Sequence, residues 1–339
     1  MKPLCLQRIF ITCSALVFAL LCQHGMAIGP ASSSGQVETQ AYSAAQIERI
    51  LDDKFAKGDY SRTGADQCLR CHDNTSELNA MGIFKNIHGS RKQKGSPFQG
   101  LQCEACHGPA GEHTKSRIRD GEQREPMISF GKYSPVPAEK QNSVCLACHK
   151  DSLSHDWRGS EHEQADVPCA GCHSVHQSHD PVQNQSTQLE TCGTCHQTQL
   201  ALSHQRSSHP MLNGQMQCTD CHSPHGSIND AGLKKATIND NCYSCHAEKR
   251  GPLLWEHEPV TEDCSTCHNP HGSVNEALLT NRAPQLCQSC HSSAGHPSTP
   301  YSDNNASSTS AAFVSGSSCM NCHSQVHGSN HPSGNSFQR

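Results

Sequence analysis

The 339-residue chain has little of what an ordinary globular core is built from. Hydrophobic residues make up 34% and aromatic residues 4%, with two tryptophans and five tyrosines. A composition this lean does not bury enough apolar surface to pack a domain of this length unaided. Beyond the first 27 residues, no run approaches the roughly 20 apolar residues that a membrane-spanning helix needs. Positive charge is short as well. The formal net charge is −5 and becomes more negative once Lys2 and Arg8 leave with the N-terminal segment. A basic face is the usual footprint of nucleic-acid binding, so nucleic acid does not suit this chain as a partner. Arg91, Lys92, Lys94 and Lys115, Arg117, Arg119 are short basic runs only.

Cysteine is plentiful, yet none is left over for a disulfide. Of 23 cysteines, Cys5, Cys13 and Cys22 lie in the first 22 residues. There Lys2 and Arg8 form a basic end, Ile9 to Leu21 an apolar run, and Gly25, Met26 and Ala27 a small-residue cleavage site. Residues 1–27 thus read as a cleaved secretory signal peptide. Leu21 is bulky where lipid attachment at Cys22 would expect a small residue. Residues 28–67 read as a polar leader and a short N-terminal helix, with Ser43 and Gln46 forming a capping box. Ile47, Ile50, Leu51 and Phe55 lie on one face of that helix and Gly58 stops it.

The other twenty cysteines form ten CxxCH pentapeptides: Cys68/Cys71, Cys103/Cys106, Cys145/Cys148, Cys169/Cys172, Cys192/Cys195, Cys218/Cys221, Cys242/Cys245, Cys264/Cys267, Cys287/Cys290 and Cys319/Cys322. This is the attachment signature of c-type haem, whose vinyl groups take up the two thiols. The adjacent histidine becomes the proximal iron ligand: His72, His107, His149, His173, His196, His222, His246, His268, His291 and His323. Structural zinc also uses paired cysteines. It does not require a histidine immediately after the second cysteine, and here that histidine is present in all ten. Ten covalently attached c-type haems follow, and they must replace the missing apolar core. The basic runs then serve as haem-propionate partners or solvated surface. Without haem the chain should not fold.

Plain motifs starting at Cys68, Cys145, Cys192, Cys242 and Cys287 alternate with motifs that carry a histidine on each side. The flanking histidines are His88 and His113, His162 and His176, His209 and His225, His257 and His271, His296 and His327. Ten second ligands are therefore present for ten haems. His225 follows His222 too closely to reach the opposite face of the same ring, so these histidines should serve neighbouring haems. Of seven methionines, Met1 and Met26 leave with the signal, too few remaining for the task. The reading is bis-histidine ligation throughout, with His331 a substitute for His88, His113 or His296, and His155, His179 and His204 outside the pattern. CTDCHSPHGSIND at 218 and CSTCHNPHGSVNE at 264 are near copies, and CAGCHSVHQSHD at 169 is a weaker one. This repetition divides residues 68–339 into di-haem modules starting at 68, 145, 192, 242 and 287. The expected fold is a multihaem cytochrome c with little regular structure, short helices and loops wrapped round an elongated chain of ten haems, and essentially no sheet.

Longer strings carry a resemblance: KFAKGDYSRTGADQC (54–68), LQCEACHGPAGEH (101–113), RSSHPMLNGQMQC (206–218), CYSCHAEKRGPLLWEHEPVTEDCSTCHNPHGSVNEALL (242–279) and CMNCHSQVHGSNHPSG (319–334). The chain resembles the MtrA/DmsE/PioA-type periplasmic decahaem cytochromes over nearly all of its mature length. The resemblance implies a chain of bis-histidine haems sheathed in an outer-membrane β-barrel protein. It also implies periplasmic or inner-membrane cytochrome donors and an extracellular multihaem cytochrome or reductase as acceptor. A closed barrel suits a loop-rich chain that cannot itself lie in lipid. No open iron position, and no hydrolytic constellation, is visible in the sequence, so an electron carrier rather than an enzyme is expected. A conduit across the outer membrane is the first reading, a soluble periplasmic shuttle or store the second, and a terminal reductase a distant third.

Overall fold

Cysteine, histidine, glycine, proline and asparagine recur too often in this chain for any long helix or strand to form. The computed structural model describes residues 42–76, 80–115, 123–150, 154–291 and 319–338. The segment expected as a signal peptide, most of the expected leader, and residues 292–318 with the candidate ligand His296 lie outside them. Tyr42–Ser116 and Arg124–Arg339 form one unit, and every contact described below lies within it. Among the described residues, extended pairing amounts to isolated bridges such as Ser207 with Ser273 and Trp255 with Ser329. This is the strandless, short-helix architecture expected of a multihaem c-type cytochrome.

The N-terminal helix α1 spans Ala44–Lys57. Both hydrogen bonds of the Ser43/Gln46 capping box are made, and Gly58 ends the helix at φ 63°, a left-handed conformation that costs glycine nothing. Ile47 and Leu51 pack on Ile128 and Val136. Phe55, expected on the buried face, is instead 42% exposed, while Lys54 is buried. The reason is polar. Lys54 Nζ donates to the Pro126 carbonyl at 3.0 Å and pairs with Glu125 at 3.4 Å, which fixes a segment beside His113, one of the candidate ligands. Burial pushes the Lys54 ammonium below its usual range, and the Glu125 carboxylate opposes the shift.

Helices run into four plain motifs, Ala138–Leu146, Gln188–Gly193, Ile238–Tyr243 and Ala283–Gln288, and a further helix, Gln197–Ser203, follows one of them. Flanked motifs sit on single turns, including Cys169–Gly171, Cys264–Thr266 and Cys319–Asn321. A buried amide joins the two kinds. Asn142 accepts from the Cys169 N–H at 2.7 Å, Gln188 from the Thr219 N–H at 3.0 Å, and Asn239 from the Cys264 N–H at 2.8 Å. The same amides donate to backbone or side-chain oxygens of that second segment. Each staple therefore satisfies backbone groups that no helix or sheet would otherwise pair.

Apolar burial is confined to the first part of the chain. Among the described residues, every buried hydrophobic lies between Ile47 and Leu189. Among the described residues the C-terminal motifs have no buried hydrophobic side chains of their own.

Candidate functional site

The twenty described CxxCH cysteines are free of disulfides. First cysteines meet in pairs within hydrogen-bonding reach: Cys68 with Cys103, Cys145 with Cys169, Cys192 with Cys218, Cys242 with Cys264, and Cys287 with Cys319. Second cysteines of the flanked motifs face the next plain motif. Burial pushes the Cys106 thiol up to about 11, with Cys145 and Cys148 adding to the effect. Cys172, Cys221 and Cys267 are raised in the same way, by burial first, with Cys195, Cys242 and Cys290 respectively among the further causes. The motifs thus follow one another in space in chain order, alternately through first and second thiols.

The histidines form a second, interleaved pattern. Nine proximal histidines each face one flanking histidine, ring centroid to ring centroid: His72 and His113 at 6.4 Å, His149 and His88 at 6.2 Å, His107 and His176 at 6.0 Å, His196 and His162 at 6.1 Å, His173 and His225 at 5.8 Å, His246 and His209 at 6.5 Å, His222 and His271 at 6.1 Å, His291 and His257 at 6.0 Å, and His268 and His327 at 6.1 Å. The rule behind them is simple. A flanked motif takes the downstream histidine of the next flanked motif, and a plain motif takes the upstream histidine of the preceding one. His72, with no predecessor, takes His113. His323 is the remaining proximal histidine and His296 the remaining flanking one, and the latter is outside the described residues. Among the described residues His331 faces no ring; its Nδ1 accepts from Ser333.

These separations suit a single metal ion between two imidazoles. With metal–nitrogen bonds of about 2 Å and roughly 1.1 Å from nitrogen to ring centre, coaxial rings lie about 6 Å apart. The same side chains share one continuous, largely apolar cavity of about 3940 Å³, lined by nineteen of the twenty candidate histidines and by neither His179, His204 nor His331. A site for one small molecule occupies about 300–1,000 Å³, so the cavity has room for several large groups. Among the described residues, no cluster of three or more His, Cys, Asp or Glu side chains is arranged for a bare metal ion. Two opposed imidazoles beside a pair of thiols instead fit a macrocyclic iron, which needs only axial ligands and thioether anchors from the protein. The residues fit c-type haem.

One attachment cysteine departs from the expected arrangement. Nineteen of the twenty line the cavity, but Cys322 does not, and its side chain is exposed. Within the last motif Cys319, Met320 and His323 reach the cavity wall.

Ring orientation is set by Nδ1. His107 donates to the Ile128 carbonyl at 2.6 Å, His222 to Ala231 at 2.9 Å, His268 to Ala277 at 2.7 Å and His323 to Ser336 at 2.6 Å. Among the flanking histidines, His113 donates to Glu125, His162 to Pro224, His209 to Pro270 and His257 to Val326, at 2.8 to 2.9 Å. A carbonyl only accepts, so Nδ1 carries the proton and Nε2 is left with a free lone pair. Burial also holds His88, His113, His176, His225, His271 and His327 below the usual histidine range, which favours the neutral, ligating form. Pro224, Pro270 and Val326 each directly precede a flanking histidine that faces a different motif, so one ligand's orientation is tied to the next. At the first repeat the equivalent carbonyl, Val175, is taken by the Asn86 amide, and among the described residues His88 has no Nδ1 bond of this kind. None of these acceptors was singled out from the sequence. They lie on backbone, where residue identity carries almost no signal.

Comparison with known proteins agrees with this chemistry. Residues 209–251 and 257–296 match the doubled CXXCH motif family, residues 103–188 the cytochrome c-type protein NrfB-like family, and residues 33–108 the cytochrome c554 and c-prime family. The chain is 57% identical over 297 residues to multiheme cytochrome MtrA of Shewanella baltica (strain OS185), covering 87% of each chain. It is 29% identical over 152 residues to cytochrome c-type protein NrfB of Haemophilus influenzae, covering 41% of this chain and 67% of that one. With paired attachment motifs along its length and an MtrA relative matched nearly end to end, the chain belongs to the MtrA family of multihaem c-type cytochromes, electron-transfer proteins that carry covalently bound haem.

Proposed function

We propose that this protein is a decahaem, bis-histidine electron conduit that works from the periplasm across the outer membrane inside a β-barrel partner. Cytochromes of the periplasm or inner membrane deliver electrons to it, and an extracellular multihaem cytochrome or reductase takes them up. The haems supply one-electron redox chemistry. The protein's own residues do the rest. The cysteine pairs anchor each group covalently. The opposed histidines would hold each iron from both sides, so electron transfer would need no change of ligands and substrate would find no vacant position. The Nδ1 bonds hold both rings in place.

The observation that carries this reading is the interleaving of nine histidine pairs, each joining a motif to a histidine from a neighbouring motif. Such an arrangement ties the sites into a series, which suits passage of charge along the chain better than storage at independent sites. The barrel and the extracellular acceptor rest on family membership together with the loop-rich, strandless backbone. No helix among the described residues is long and apolar enough to cross a membrane, and exposed backbone polar groups need a closed protein surround to lie at membrane depth.

The test is haem-stained fractionation of the native host followed by mild detergent extraction of the outer membrane. The conduit predicts a haem band that co-purifies with an outer-membrane barrel protein. Recovery mainly in the soluble periplasm, with no barrel attached, favours the shuttle and removes the spanning role.

A further inference from the structure

All five proximal histidines of the flanked motifs anchor Nδ1, but one does so differently. His107, His222, His268 and His323 donate to backbone carbonyls. His173 donates to a carboxylate, Asp180 Oδ2, at 2.6 Å. The repeats explain the exchange. In CTDCHSPHGSIND and CSTCHNPHGSVNE the acidic residue, Asp230 or Glu276, precedes the alanine whose carbonyl meets the histidine. Ala231 and Ala277 adopt φ 52° and 53° to present it. CAGCHSVHQSHD is one residue shorter between its histidine and its acid, so the acidic side chain itself arrives where the carbonyl would be. Asp180 is held there by the Ser174 N–H on Oδ1 at 3.1 Å, and only 16% of its side chain is exposed.

We propose that Asp180 tunes the site built from Cys169, Cys172, His173 and His225, lowering its reduction potential below those of the four flanked-motif sites anchored by carbonyls. An ionised carboxylate is a stronger acceptor than a carbonyl. It draws the Nδ1 proton, makes Nε2 a better donor to iron, and so favours the ferric state. Little solvent separates the pair, so the effect is weakly screened. The charge of Asp180 also reaches Cys172 and His88, which places it beside the neighbouring site as well. Asp180 is a positioning residue that acts through His173. The inference rests on the bis-histidine reading given above.

The experiment is optical redox titration of the purified, fully loaded protein, comparing wild type with Asp180→Asn and with Asp230→Asn, an exposed carboxylate at the repeat-equivalent position. Asp180→Asn should retain its haem content and move about one part in ten of the absorbance change to higher potential, while Asp230→Asn leaves the curve in place. An Asp180→Asn curve superimposable on wild type at full haem content overturns the inference alone. If that variant does not assemble, paramagnetic resonance of wild-type protein during reduction carries the test. The low-spin signal of strongest ligand field should be among the last to disappear, and its early loss overturns the inference. A high-spin or methionine-type near-infrared band in wild type would instead overturn the ligation reading and this inference with it.

Discussion

Single histidines differ in what their loss should do, and the difference follows from what each ring faces. His88 faces His149 at 6.2 Å and lines the haem cavity. His331 does neither, although its position in HGSNHPSG made it a credible ligand from sequence. His88→Ala should therefore open one iron position and produce substoichiometric carbon monoxide binding in the reduced protein, whereas His331→Ala should bind none. The attachment cysteines and proximal histidines were legible because covalent haem chemistry compresses them into five consecutive residues. Their surroundings were not: Cys322 has the same pentapeptide as the rest yet lies off the cavity wall. Pairing was equally hidden. His88 and His149, or His107 and His176, are joined only by the path of the backbone, and a pentapeptide contains no record of its partner. Asp180 lay between these cases: the shorter repeat was visible, but only the folded turn shows that one deleted residue replaces a carbonyl with a carboxylate.

At the scale of elements, a helix and a single turn are repeatedly joined by one buried amide. Asn239 accepts from the Cys264 N–H and donates to Val260 and Thr261. Asn239→Ala leaves those groups unsatisfied, and the cost should be about 1–3 kcal/mol, read as a lower denaturation midpoint of the loaded protein with its haem count retained. Asn142→Ala should behave alike at the preceding staple. The turns after the flanked motifs are equally exacting. Gly272 adopts φ 145°, and a Cβ there would run into the Leu202 carbonyl. Gly272→Ala should displace the neighbouring His271 from His222 and cost haem occupancy at that site, detectable as a fall in the iron-to-protein ratio. Sequence patterning foresaw the short helices and the α1 capping box. It misplaced Phe55, because the helix face is chosen by the Lys54 contacts to Glu125 and Pro126, which are more than seventy residues away in the chain.

For the whole molecule, the lean composition and the cavity are two aspects of one fact. Apolar side chains buried among the described residues all precede residue 190, while the cavity continues past the last described motif. Haem must provide the missing interior. Protein produced without haem attachment should lack a cooperative unfolding transition and be cut rapidly by protease, even in the C-terminal modules where the staples remain intact. A protease-resistant, cooperatively folded apoprotein would show that the side chains suffice.

The central claim is that opposed histidines saturate every iron in an interleaved series. Carbon monoxide titration of the fully reduced, purified protein tests it most directly. Saturation predicts an absorption spectrum that stays unchanged at excess carbon monoxide, with all iron low-spin before and after. A carbon monoxide complex forming at a fraction of the haems in wild-type protein would contradict the account, since at least one iron would then hold an open or labile position suited to substrate rather than to electron transfer alone.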